Sequence, residues 1–106
     1  MARSLLNVPK TARKGEVIEI RALIAHPMET GFRPGADGQV QPRDIIRRFA
    51  CRYNGEQVFA AELFSAISAN PYIAFHTVAM ESGTLEFEWT GDNGFAQTER
   101  APITVT

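Results

Sequence analysis

The sequence predicts an all-β chain, folded as an immunoglobulin-like β-sandwich of about seven antiparallel strands. Three observations carry that reading. Apolar residues recur at every second position over most of the chain, the period of half-buried strands. Turn signals rich in Asn and Gly punctuate those runs. No stretch of ordinary helix length keeps a helical apolar repeat, and only 62–70 offers a helical turn. The Cys-Trp-Cys spacing of antibody domains is absent, since Cys51 is the only cysteine, so the architecture alone is predicted.

Ser4 to Val8 makes the first expected strand. In Gly15 to Ala25, Ile18, Ile20, Ala22 and Ile24 share one face while Glu19 and Arg21 take the other, the pattern of a half-buried strand. The stretch that follows, from His26 to Asp44, holds three of the six prolines and three of the eight glycines. Proline lacks the ladder donor and glycine weakens an extended run, so a long loop is expected there. Loops on a rigid scaffold concentrate binding residues. His26, Met28, Glu29, Thr30, Phe32 and Arg33 are therefore candidate contact residues.

Phe49, Cys51 and Tyr53 alternate with Arg48, Ala50 and Arg52 as far as Asn54-Gly55, the pair best suited to a two-residue type I′ hairpin turn. The returning strand is Gln57 to Phe64, and Ile73 to Met80 supplies another. Leu85, Phe87 and Trp89 alternate with Glu86, Glu88 and Thr90 before the turn Gly91-Asp92-Asn93-Gly94, and Phe95 to Thr106 returns. There is no internal repeat, linker or low-complexity segment, so residues 1–106 read as one domain.

At 106 residues, a chain of this size buries roughly 65% of its extended surface, enough for one core. Its 44% apolar and 22% charged residues are those of an ordinary globular protein, and no apolar run approaches the ~20 residues of a spanning helix. A net charge of −1 argues against a general nucleic-acid binder, which needs a basic excess. Residues 1–53 hold ten basic and five acidic side chains, residues 54–106 one and seven. Folding leaves two outcomes open: a dipole that steers an anionic partner, or intermixing on the surface. With one cysteine no intrachain disulfide forms, and the compartment cannot be read from a disulfide framework. The opening Met1 to Pro9 has no apolar core of an export signal, which by itself favours the cytoplasm. A chain exported while bound to a signal-bearing partner reads the same.

His26, Cys51, His76 and Met80 are copper-ligand types. The compact loop that would carry Cys, His and Met together is missing, and ordinary packing explains the alternation of His76, Val78 and Met80 equally well. Cys51, between Phe49 and Tyr53, reads as an inert core thiol rather than a nucleophile. No spacing forces carboxylates or histidines to converge, and no phosphate loop, Cys-x-x-Cys pair or Ser-His-Asp arrangement is present. Arg43, Arg47, Arg48 and Arg52 form a basic cluster. It reads either as a solvated face with Asp44 as local partner or as an anion-facing surface.

Beyond these readings, several runs closely resemble the SoxZ family: Asn7-Val8-Pro9-Lys10-Thr11-Ala12, Ala25-His26-Pro27-Met28-Glu29-Thr30-Gly31, Pro42-Arg43-Asp44-Ile45-Ile46-Arg47-Arg48-Phe49 and Tyr53-Asn54-Gly55-Glu56. The ending Glu81-Ser82-Gly83-Thr84-Leu85, Trp89-Thr90 and Thr104-Val105-Thr106 fits too. The resemblance spans essentially the whole chain. It implies a non-catalytic subunit of the SoxYZ sulfur-carrier complex of bacterial thiosulfate oxidation, without a cofactor or metal of its own. The implied partner is SoxY, in a heterodimer, which holds sulfur intermediates on a cysteine in a glycine-rich C-terminal arm. Other Sox enzymes would dock transiently, and nucleic acid and membrane are not expected partners. The implied compartment is the periplasm, reached by co-export with signal-bearing SoxY. On this reading His26, Met28, Glu29, Thr30, Phe32, Arg33, Arg43, Arg47 and Arg48 are partner- or cargo-facing. The isolated chain, its partner surface uncovered, is expected to self-associate. The readings it competes with are a small β-sandwich metal or redox protein and a standalone interaction domain.

Overall fold

Alternation along each long strand sorts its side chains into a core face and an outer face. A computed structural model describes residues 2–106 and places eight strands in two sheets. The strands are β1 (Ser4–Asn7), β2 (Thr11–Ala12), β3 (Glu16–Ile24), β4 (Ile46–Tyr53), β5 (Glu56–Glu62), β6 (Tyr72–Ala79), β7 (Gly83–Gly91) and β8 (Ala96–Val105). The smaller sheet runs β1-β3-β6 and the larger β2-β8-β7-β4-β5. An immunoglobulin-like sandwich is thus what the alternation builds.

The predicted inward faces are the observed ones. Ile18, Ile20, Ala22 and Ile24 of β3, Phe49, Cys51 and Tyr53 of β4, and Leu85, Phe87 and Trp89 of β7 are all buried. Each such large side chain contributes about 1.5–3 kcal/mol on leaving water. Aromatic rings bridge the layers: Phe59 of β5 stacks on Phe75 of β6 with centroids 4.4 Å apart. Phe49 of β4 also reaches Phe75, centroids 6.1 Å apart, and within its own sheet lies 4.5 Å, centroid to centroid, from Trp89.

Asn54 and Gly55 take φ of 49° and 86°, and Tyr53 pairs with Glu56, so the two-residue hairpin forms as its sequence predicts. The Asn54 side chain reaches across to accept the Thr84 N–H (2.9 Å). Two features differ from expectation. Thr11–Ala12 adds a short eighth strand, paired parallel with Thr104–Val105 of β8, too brief for alternation to announce it. Residues 62–70 form no helix: the Leu63 N–H bonds the Arg47 carbonyl (2.9 Å) and the Asn70 N–H the His26 carbonyl (2.8 Å). Only one turn closes there, the Ile67 N–H bonding the Phe64 carbonyl (3.0 Å), and a separate 3₁₀-type turn, with Asn93 at a left-handed φ of 58°, forms at Asp92–Gly94.

The two outer faces are unlike. On the large sheet, Arg52 of β4 bonds Glu86 (2.6 Å) and Glu88 (3.5 Å), and Arg100 of β8 bonds Glu86 (2.8 Å). On the small sheet, Leu5, Val17, Tyr72, Val78 and Met80 stand in solvent.

Candidate functional site

Two crossovers between the sheets, 25–45 and 63–71, lie side by side at one end of the sandwich, next to the 3₁₀ turn. The longer is no featureless loop. Glu29 and Asp44 exchange both backbone hydrogen bonds (2.9 and 2.8 Å), and the Gln41 N–H donates to the Arg33 carbonyl (2.8 Å). The result is a hairpin-like excursion, with Pro34 and Val40 bridged near its tip. The shorter crossover is tied to it by the Ser65 hydroxyl, which donates to the Thr30 carbonyl (3.1 Å).

The predicted contact residues divide by burial. His26 and Met28 lie in the interior, 6% and 3% exposed. His26 Nδ1 accepts the Met28 N–H (3.0 Å) and its ring packs edge-on against Phe95. Met28 Sδ accepts the Ile46 N–H (3.2 Å). Both residues shape the excursion from within. Glu29 is clamped by Arg33, whose Nη2 lies 2.5 Å from Oε1. That bond holds the Glu29 carboxyl below and the Arg33 guanidinium above their ordinary pKa values. Thr30 Oγ1 accepts the Phe32 N–H (3.2 Å), closing a small turn. Beyond it the Phe32 ring is 81% exposed.

Phe32, Arg43, Arg47 and Arg48 come together on one open groove of about 770 Å³, whose far wall is Leu63 and Phe64. Phe64 is 65% exposed, so two aromatic rings rim a basic floor. Asp92 organises that floor. Arg43 donates to both its oxygens (2.8 and 3.0 Å), and the Ile45 N–H to one of them (3.2 Å). The Arg43 hydrogen bond, aided by the Ile45 N–H, holds the Asp92 carboxyl below its ordinary pKa. Arg47 reaches Asp92 only at 4.0 Å. Arg48 bonds the neutral Gln57 amide (3.1 Å). Arg43 is thus neutralised and Arg47 only loosely paired. Arg48 stands across the β4–β5 ladder from Glu62, a carboxylate that also lines the groove, so Arg47 and Arg48 make a basic spot tempered by one acid.

Asp92 and Phe64 were not legible as site residues. Asp92 read only as part of a turn, and Phe64 as the end of a strand. Asp44, the expected partner of the arginines, sits instead 3.9 Å from His26 Nε2. The four metal-ligand types are scattered: His26 and Cys51 are buried, whereas His76 and Met80 are on the exposed side of the small-sheet strand and its end. Among the described residues no group of three His, Cys, Asp or Glu side chains is placed to hold a metal ion. Burial pushes the Cys51 thiol up to about 12.

Fold and groove define an immunoglobulin-like β-sandwich whose open end offers exposed aromatic rings and unspent arginine charge for contact. A family model described as Sulphur oxidation protein SoxZ matches residues 6–102, and the chain belongs to that family. No curated protein matches the sequence. Among solved structures, a superoxide reductase (neelaredoxin) variant from Ignicoccus hospitalis is similar at 15% identity with a TM-score of 0.76, covering 99% of this chain and 81% of its own. The sulfur carrier protein SoxY from Chlorobium limicola f thiosulfatophilum is similar at 10% identity with a TM-score of 0.66, over 97% and 78%. The CARDB domain of a Pyrococcus furiosus protein follows at 9% identity and 0.59, over 100% and 94%. At such identities these likenesses concern the fold.

Proposed function

We propose that this chain is the companion subunit of a SoxYZ sulfur-carrier complex. In that role it binds SoxY and helps present the sulfur intermediates carried on the SoxY cysteine to the enzymes of thiosulfate oxidation. The complex works in the periplasm, which this subunit reaches by export together with SoxY. Membership of the SoxZ family over residues 6–102 is the observation that carries the reading. The site's chemistry agrees with it: Arg47 and Arg48 beside Phe32 and Phe64 suit brief contact with anionic, partly apolar surfaces. Cys51 is buried and burial holds its thiol protonated, which supports assigning the sulfur-bearing thiol to the partner.

The test is reconstitution. Mixed with SoxY, the chain is expected to form a heterodimer that supports thiosulfate oxidation when the other Sox enzymes are added. The combined variant Phe32→Ala, Arg47→Ala, Arg48→Ala should still pair with SoxY but present cargo at least about tenfold less efficiently, as expected when central aromatic and arginine contacts are lost. Turnover at the wild-type rate would remove the groove from the presentation role.

A further inference from the structure

The outer face of β1-β3-β6 breaks the rule the other face obeys. Strand registers set Val17 beside Val78, Leu23 beside Tyr72 and Leu5 beside Leu23. These rows form an apolar surface with one polar belt across its middle. In that belt Glu19 accepts from Arg21 (2.6 Å) and faces His76 (3.5 Å). Exposure of the large apolar side chains runs from 42% at Val78 to 63% at Val17, with Leu5, Tyr72 and Met80 between. Scattered exposed apolar residues need no explanation; a patch on one sheet face does.

The rim of this face is also open. β6 lies at the edge of its sheet, and its sequence Tyr-Ile-Ala-Phe-His-Thr-Val-Ala contains no Pro, Lys, Asp or Glu. Such residues are what normally guard an edge strand. By contrast β5, on the open edge of the other sheet, begins and ends in glutamate and carries a register irregularity opposite Cys51/Arg52.

Resting on the companion-subunit reading, we infer that this face and the β6 edge together are the seat of the carrier subunit, packed sheet against sheet. Three arguments fix that occupant. Among the described residues the cation in the middle of this face, Arg21, is bound by Glu19, and Arg3 stands alone beyond the end of β1, so the face has no cluster of cations for an anionic lipid surface or a nucleic acid. The SoxY carrier protein of Chlorobium limicola f thiosulfatophilum has the same sandwich fold, at a TM-score of 0.66, so a partner of that architecture has a flat sheet to offer. Area supplies the third. Strands of four, nine and eight residues, at about 3.3 Å per residue and about 4.8 Å apart, give a face of roughly 330 Å², under half the ~800 Å² per partner of a standard stable complex. The partner must therefore also wrap the β6 edge, where backbone donors and acceptors are free to pair.

The experiment pairs purified SoxY with wild-type chain, with Val17→Lys/Val78→Lys, and with Arg47→Ala/Arg48→Ala, and reads complex formation by sedimentation. Circular dichroism of each free variant confirms folding, which outward substitutions leave intact. Wild type and the groove variant should bind SoxY equally, and the lysine variant at least a hundredfold more weakly. Hydrogen exchange at the Tyr72–Ala79 amides should slow in the wild-type complex. Unchanged SoxY binding by the folded lysine variant, with no protection along β6, would overturn the face assignment while leaving the companion reading standing. Failure of the wild type to bind SoxY would sink both. A wild-type homodimer abolished by the lysines while SoxY binding persists would give the face to a second copy of this chain and also overturn the proposal.

Discussion

A thiol between Phe49 and Tyr53 is a residue whose chemistry is decided by position. Cys51 is fully buried, and loss of solvation raises its pKa from 9.0 to about 12, against a weaker pull from the Arg52 charge. Arg52 cannot prevail because its guanidinium lies on the outer face, bound to Glu86. The thiolate is the reactive form, so at pH 8 the native protein should not react with a disulfide reagent over hours. In guanidinium it should react fully, one thiol per chain. Rapid labelling of the native state would show that Cys51 leaves the core. Alternation made this residue legible, and where alternation stops, so does legibility. Nothing after Ala25 says which way His26 and Met28 turn, because an aperiodic loop has no inside until its own hydrogen bonds define one. Asp92, 49 positions from Arg43, is joined to the arginines only by tertiary structure.

β2 was too short to show alternation, but the other seven of the eight strands were legible to within a residue or two, because the period of two leaves a single workable register. Irregularities were not. β4 slips its register against β7 between Ile46 and Arg48, which accompanies a turn of Arg47 outward into the groove although Phe49, two positions on, is buried. Gly91, opposite Ile46, permits this: a Cβ there would stand 2.4 Å from the Ile45 carbonyl oxygen and 2.8 Å from Ile46 Cα. Both obstacles are backbone and cannot swing aside. Gly91→Ala should therefore cost about 1–3 kcal/mol, the usual range for overpacking, seen as a lower Tm. Amide shifts should change most around Ile45 to Arg48. An unaltered Tm would mean that β4 is free to move away from β7, contrary to the close approach observed. Sequence alone marks Gly91 only as the start of a turn, since close approach involves a strand it has not yet met.

At the scale of the whole molecule, the opposed charges of the two halves of the sequence are largely mixed by folding. Arg43 and Arg52 from the first half meet Asp92, Glu86 and Glu88 from the second, which leaves Arg47 and Arg48 as a local basic spot rather than the pole of a dipole. This mixing sets the acid response. Hydrogen bonds from Arg33, Arg52 and Arg43, respectively, lower the pKa of Glu29, Glu86 and Asp92. A carboxyl whose pKa is lower in the folded state binds fewer protons there than when unfolded. Its stabilisation is complete above the unfolded value, near 4.5 for the glutamates and 3.8 for Asp92. It is lost as pH falls through the lower folded value. Tm should therefore hold level from neutral pH down to about 5 and fall steeply below 4, at constant ionic strength. Asp92→Asn should start from a lower Tm at neutral pH, having loosened Arg43, and then lose less on acidification than the wild type, because one coupled proton is gone. Parallel acid limbs for the two proteins would mean that the Arg43–Asp92 bond contributes nothing in solution, and the floor of the groove would then be held by backbone alone.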